Sequence, residues 1–147
     1  MLQDLFGSEH KFDAKRGEAR SLAGKRILVV DDNAINLDVA AESILSCGAD
    51  VDTASGGMAA LREIERVSYD LILLDLSMPD LDGIAVGKAI RSSSLNANAV
   101  VLLFTAADND EAQLAQKEIA AAGLISKPVD IDHLIEMAFL HTGALQQ

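Results

Sequence analysis

Short runs of Val, Ile, Leu and Phe recur along the chain and are separated by longer segments with apolar residues at helical spacing. A run of four to six mostly apolar residues between polar segments is typical of a parallel strand buried on both faces. The predicted strands are residues 26–30, 50–54, 71–74, 99–104 and 124–126.

Amphipathic segments between these strands predict five helices. The predicted helices are residues 34–46, a segment through residue 66 capped by Ser55, a segment after the 78–83 loop to residue 91, a segment capped by Asp108, Asn109 and Asp110 that ends at Gly123, and residues 130–141. In the second helix, Met58, Leu61 and Ile64 are expected on the inner face. Strict alternation predicts an α/β domain, a flavodoxin-like (βα)5 doubly wound parallel sheet with strand order 2-1-3-4-5.

The first 24 residues are polar and mixed in charge. We expect residues 1–24 to form a flexible leader or linker, residues 25–142 to form the domain, and residues 143–147 to form a tail. Leu2, Leu5 and Phe6 could make one face of a short helix in the leader.

Composition places the chain among ordinary single domains, since it has 147 residues and half of them are hydrophobic. The lone Cys47 has no second cysteine to pair with, which favours a reduced, cytoplasmic compartment. We interpret it as a small apolar residue at a helix end.

The formal net charge of −11 argues against nucleic acid or an anionic membrane as a partner. The charge is uneven: residues 1–26 hold six basic and four acidic residues, and the remainder holds six basic and nineteen acidic ones. No apolar run approaches the roughly 20 residues of a membrane span, and no basic recognition helix is visible.

Polar residues follow four of the predicted strands. They are Asp31 and Asp32 after the first, Asp75 after the third, Thr105 after the fourth and Lys127 after the fifth. In an open parallel sheet, ligands bind at the carboxyl ends of the strands, so these side chains are expected at one edge. Clustered carboxylates need a compensating cation, and oxygen ligands without a nearby His or Cys favour Mg²⁺ over zinc.

Four stretches together resemble the receiver domain of two-component response regulators, over about residues 25–140. They read ILVVDDNAIN at residues 27–36, DLILLDLSMPDLDG at 70–83, VVLLFTA at 100–106 and LISKP at 124–128. The resemblance implies that Asp32 and Asp75 bind Mg²⁺ directly, that Asp31 acts through water, and that the Ser77 backbone carbonyl is a further ligand.

The same resemblance implies that Asp75 is the phosphoacceptor, assisted by Thr105 and Lys127, and that the Lys127–Pro128 peptide is cis. The donor would be a histidine kinase or a histidine phosphotransfer protein. Thr105 and Leu124 occupy the two switch positions. Many receivers have Tyr or Phe where this chain has Leu124, so we expect a smaller or differently distributed conformational change on phosphorylation.

We therefore expect a monomeric phosphorelay receiver that signals by contact with an unknown protein partner, either alone or as part of a hybrid kinase. It is not expected to be a dedicated enzyme, although it would catalyse its own phosphorylation and slow dephosphorylation.

Several other interpretations remain open. The first is a pseudo-receiver, a binding module that does not turn over phosphate. A metal-dependent phosphatase would have alternate rather than adjacent aspartates after the first strand, and a nucleotide or flavin binder would need a glycine-rich loop there. Asp31 and Asp32 alone could merely cap a helix, and structural roles are expected for Asp80 and Asp82 in the turn.

Overall fold

The computed structural model describes residues 21–106 and 110–142, together with the backbone of residues 12–13 and 18–19. Its strands are β1 (Arg26–Val30), β2 (Asp50–Ala54), β3 (Leu71–Asp75), β4 (Val100–Thr105) and β5 (Gly123–Ser126). Its helices are α1 (Ala34–Leu45), α2 (Gly57–Arg66), α3 (Gly83–Ser92), α4 (Asp110–Glu118) and α5 (Ile131–Thr142). Among the described residues, no helix is long and apolar enough to cross a membrane.

The five strands form one parallel sheet in the order β2-β1-β3-β4-β5. This arrangement confirms the predicted fold class and strand order. The order reverses between β1 and β3, where the register pairs Val30 with Leu74. The chain leaves β1 toward β2 on one side and leaves β3 toward β4 on the other, which opens a crevice at the carboxyl ends of β1 and β3.

Side chains alternate between two core clusters because successive strand residues point to opposite faces of the sheet. Ile27 and Val29 of β1 pack with buried residues of α1 and α5. Leu28 and Val30 pack on the other face with buried residues of α2 and α3. Burial on both faces explains why β1, β3 and β4 appear in the sequence as continuous apolar runs.

The start of α2 differs from the prediction. Ser55 was predicted to cap this helix, but its N-cap residue is Gly56, which has no side chain to accept a hydrogen bond. The Asp80 carboxylate accepts from the amides of Gly57 and Met58 instead. Met58 was predicted to face inward, but it is 52% exposed, and the helix buries Gly57, Ala60 and Ile64.

Helix α4 ends at Glu118, five residues before the predicted stop at Gly123. Just after this end, Ala120 adopts a positive φ of 55° and Ala121 N donates back to Gln116 O over 2.9 Å. Such a left-handed residue usually signals glycine, so an alanine there gave no warning. The predicted caps Asp108 and Asn109 lie outside the described residues.

Parts of the segment before β1 are among the described residues. Residues Phe12–Asp13 and Glu18–Ala19 form a short antiparallel pair. Leu22 is buried in the core, and its amide donates to Cys47 O over 2.7 Å. Cys47 is itself buried in the same cluster, just after α1. The proposed helix face of Leu2, Leu5 and Phe6 lies outside the described residues.

Candidate functional site

Three aspartates converge at the carboxyl ends of the neighbouring strands β1 and β3. Asp31 follows β1 and Asp75 ends β3, so the register of these neighbouring strands brings them together. One carboxylate oxygen from each of Asp31, Asp32 and Asp75 lies within 4.8 Å of the other two. Asp31 and Asp75 are each 1% exposed, whereas Asp32 is open to solvent. The crevice is therefore lined by carboxylates and is accessible from solvent on the side of Asp32.

Helix α1 does not use these aspartates as its N-cap. Asn33 holds that position, and its side-chain oxygen accepts from the amides of Ile35 and Asn36, each over 3.0 Å. Asp31 Oδ1 accepts from Asn33 N over 2.9 Å, which orients its carboxylate. The interpretation of the aspartate pair as a helix cap is therefore wrong.

The Lys127 ammonium lies between the two buried carboxylates. Its Nζ donates to Asp75 Oδ1 over 2.9 Å and is 3.6 Å from Asp31 Oδ2. Asp75 Oδ1 also accepts from Ser77 N over 3.0 Å. The lysine side chain is only 20% exposed, so its positive charge acts where water screens it weakly.

Two carboxylate oxygens of this cluster accept no hydrogen bond from the described residues. Asp31 Oδ2 and Asp75 Oδ2 are buried, and neither has a hydrogen-bond partner among the described residues. Burying carboxylate oxygens that accept no hydrogen bond is costly, and a cation bound in the cluster with its waters would compensate their negative charge. A set of donors made only of oxygen suits a hard ion such as Mg²⁺, which takes one or two protein carboxylates and keeps several waters. The residues present therefore fit a magnesium ion.

The ends of β4 and β5 bring the other predicted residues to the same edge. Thr105 and Ser126 are partners in the parallel register, and Thr105 O accepts from Lys127 N over 2.8 Å. This backbone contact ties the position of Lys127 to the end of β4. The Lys127–Pro128 peptide is cis, as the resemblance implied. Leu124 is half-buried and packs against the core cluster that includes residues of α3 and α4.

The turn after β3 contains two structural aspartates, as expected. Asp82 caps α3 by accepting from Ala85 N over 2.9 Å. Asp80 instead reaches helix α2, a connection that sequence reasoning missed. The signal available was the Gly56–Gly57 pair, which leaves the start of α2 without a capping side chain of its own.

Comparison with known proteins extends these observations. Residues 27–139 match the family model described as the response regulator receiver domain. Histidine kinase 5 of Arabidopsis thaliana is 38% identical over 93 residues, which are 63% of this chain and 10% of that protein. The transcriptional regulatory protein ZraR of Escherichia coli (strain K12) is 33% identical over 122 residues, 81% of this chain and 27% of that protein. The chain thus spans about a quarter or less of these relatives.

Solved structures show the same architecture. The receiver domain of a sensor histidine kinase from Pseudomonas aeruginosa, with a magnesium ion coordinated in its active site cleft, has a TM-score of 0.75 and 28% identity. The match covers 82% of this chain and 99% of that one. The chemotaxis response regulator CheY4 of Vibrio cholerae has a TM-score of 0.75 and 26% identity over 80% of this chain and 98% of that one.

The match to the family model covers most of the chain, including the three clustered aspartates and Lys127. The parallel sheet and its strand order agree with the solved relatives over nearly their whole length. By sequence and by structure, the chain belongs to the response regulator receiver domain family.

Proposed function

We propose that this chain accepts a phosphoryl group on Asp75 in a Mg²⁺-dependent reaction and transmits the signal by contact with another protein. The observation that carries the proposal is the buried Asp75 carboxylate. One of its oxygens is held by Ser77 N and Lys127 Nζ, and the other has no partner among the described residues. A nucleophile that is oriented at one oxygen and unsatisfied at the other is prepared for an incoming electrophile.

In the proposed reaction, Asp75 attacks the phosphorus atom of a phosphohistidine. An oxygen–phosphorus bond forms, the phosphorus–nitrogen bond breaks, and the nitrogen keeps the bonding electrons, leaving a histidine side chain. Mg²⁺ held by Asp32, Asp75, the Ser77 carbonyl and, through water, Asp31 would neutralise charge on the transferred group. Lys127 would place its ammonium on one phosphoryl oxygen, and the Thr105 hydroxyl would donate to another.

The donor we propose is a histidine kinase or a histidine phosphotransfer protein. Support comes from the names of the relatives, which include histidine kinases and a transcriptional regulatory protein. The net charge of −11 favours an output through protein contact over direct binding to nucleic acid. We further propose that the chain acts as a monomer in the cytoplasm.

Incubation with acetyl phosphate and Mg²⁺, resolved on a phosphate-affinity gel, tests the proposal. We expect a shifted band that hydroxylamine removes and that is lost without metal or in Asp75→Asn. Asp70→Asn is the matched control, because Asp70 lies just before the opposite end of β3, where its carboxylate accepts from Arg26 N over 2.8 Å. That variant should be labelled like the wild type.

A band that survives in Asp75→Asn would mean that another residue is the nucleophile. If neither acetyl phosphate nor a phosphorylated histidine phosphotransfer protein labels the wild type, the chain is a pseudo-receiver and the proposal fails.

A further inference from the structure

Helix α2 begins with a cap that comes from far along the chain. Asp80 Oδ1 accepts from Gly57 N over 3.0 Å, and Asp80 Oδ2 accepts from Met58 N over 3.1 Å. Each oxygen of the carboxylate therefore satisfies one amide of the first helical turn, where the helix has unpaired donors. The N-cap residue Gly56 makes no side-chain hydrogen bond.

Two glycines allow the close approach between this helix and the loop after β3. A Cβ atom on Gly56 would lie 3.0 Å from Asp80 Oδ2, and one on Gly57 would lie 2.7 Å from Leu81 Cβ. Real Cβ atoms essentially never come as close as the second distance. The start of α2 therefore packs directly against Asp80 and Leu81 of the loop.

Electrostatics reinforce the contact. The hydrogen bonds from Met58 and Gly57 hold the pKa of Asp80 below its usual value, because they stabilise the charged carboxylate. A negative charge at the amino end of a helix is stabilised by the helix dipole.

The loop fixed in this way carries part of the phosphorylation site. It begins at Asp75, whose Oδ1 accepts from Ser77 N. It ends at Gly83, whose amide donates to Leu76 O over 3.1 Å. These two contacts join the loop to itself and to α3, whereas Asp80 attaches it to the separate helix α2.

We propose that Asp80 is a positioning residue for the metal site, because its contact with α2 fixes the loop that presents Asp75 and the Ser77 backbone carbonyl. This inference rests on the proposed function, in which that carbonyl and Asp75 hold Mg²⁺. Groups that orient the ligands of a metal site without touching the metal commonly affect its affinity.

The test is a Mg²⁺ titration of the full chain by calorimetry, with the amide shift of Ser77 followed by NMR. Asp80→Ala should raise the dissociation constant for Mg²⁺ about tenfold, and Asp80→Asn should give an intermediate value, because an amide has one acceptor oxygen instead of two. The rate of labelling by acetyl phosphate should recover in Asp80→Ala when Mg²⁺ is raised to saturation.

Ile64→Val is the matched control. Ile64 is buried on the inner face of α2 and is not among the groups that cap the helix, so the variant weakens the packing of this helix and leaves the Asp80 contact in place. It should lower the melting temperature with no change in the dissociation constant for Mg²⁺. If Asp80→Ala and Ile64→Val bind Mg²⁺ within twofold of each other, Asp80 has only a stabilising role and the inference is overturned.

The two proposals fail separately. If the wild type binds Mg²⁺ but is never labelled, the proposed function is overturned, and the comparison of dissociation constants still decides the role of Asp80. If the wild type binds no Mg²⁺, both are overturned.

Discussion

At the scale of the residue, Lys127 acts as a built-in counterion of the acidic pocket. Its ammonium contacts Asp75 and lies 3.6 Å from Asp31, and both of these carboxylates are buried. A buried carboxylate without a cation is strongly unfavourable, so the lysine stabilises the pocket before any metal binds.

Replacement of Lys127 by alanine should therefore destabilise the metal-free protein. We expect Lys127→Ala to lower the free energy of unfolding by about 3 kcal/mol in EDTA, the low end for breaking a buried ion pair. Saturating Mg²⁺ should reduce the difference, because the ion then supplies the missing positive charge. Urea unfolding with and without Mg²⁺ measures both values.

Lys117 provides the control, since it is an exposed lysine on α4. Lys117→Ala should change the free energy of unfolding by less than about 0.5 kcal/mol, with no dependence on Mg²⁺. If Lys127→Ala matched this control, the ammonium would not be compensating the buried carboxylates.

Leu124 leads to a second prediction at this scale. It is half-buried against the cluster that includes residues of α3 and α4, and it has neither a ring nor a hydroxyl to relocate. We expect phosphorylation or a phosphoryl analogue to shift amides near Thr105 more than those near Leu124. NMR amide shifts recorded with and without the phosphoryl group measure this difference. A large two-state exchange centred on Leu124 in relaxation dispersion would contradict the prediction.

At the scale of the element, a glycine of α3 lies at the contact between α3 and the end of α4. A Cβ atom on Gly87 would lie 2.5 Å from Ile119 Cδ1 and 2.6 Å from its Cγ2. Ile119 is buried directly after α4. This contact fixes how closely the end of α4 packs on α3.

Gly87→Ala should thus destabilise the fold by about 2 kcal/mol, the usual cost of overpacking a core. In a double-mutant cycle, adding Ile119→Ala should recover part of this loss, because the removed atoms make room for the new methyl group. Purely additive losses of unfolding free energy would show that the two residues do not compete for the same space.

Elements also differ in how well the sequence predicts them. Strand bounds agree with the prediction to within one residue. In β1, β3 and β4 the reason is burial on both faces, which leaves an apolar run in the sequence. The start of α2 and the end of α4 were wrong, because they depend on tertiary contacts. Asp80 supplies one from a distant turn, and Arg91 supplies the other by donating to the carbonyls of Ile119 and Ala120.

The candidate site was likewise predictable from the sequence only in part. Its position follows from topology alone, since residues at the carboxyl ends of neighbouring parallel strands must meet. The pairing of Lys127 with Asp75 and the two unpartnered oxygens depend on side-chain geometry. No pattern in a single sequence encodes that geometry directly.

At the scale of the whole molecule, the net charge of −11 opposes compaction. Raising NaCl from about 0.02 M to about 0.3 M shortens the screening length severalfold. We expect this change, in EDTA, to raise the melting temperature by about 3 °C, or roughly 1 kcal/mol for a domain of this size. Calorimetric scans at constant pH check the shift.

MgCl2 at the same ionic strength should stabilise the protein more than NaCl, since a bound ion favours the folded state by mass action as well as by screening. Equal shifts with the two salts would indicate screening alone and no specific site.

The buried Leu22 has a practical consequence for engineering. The family match begins at Ile27, yet Leu22, five residues earlier, is part of the core. Its amide donates a hydrogen bond to the carbonyl of Cys47, just after α1. A chimera that began at Ile27 would lack Leu22, and the apolar side chains that Leu22 covers, near Cys47, would be exposed to solvent. A fusion point before Ser21 therefore keeps this contact. It leads into the amino end of β1, whereas the acidic pocket lies at the carboxyl end.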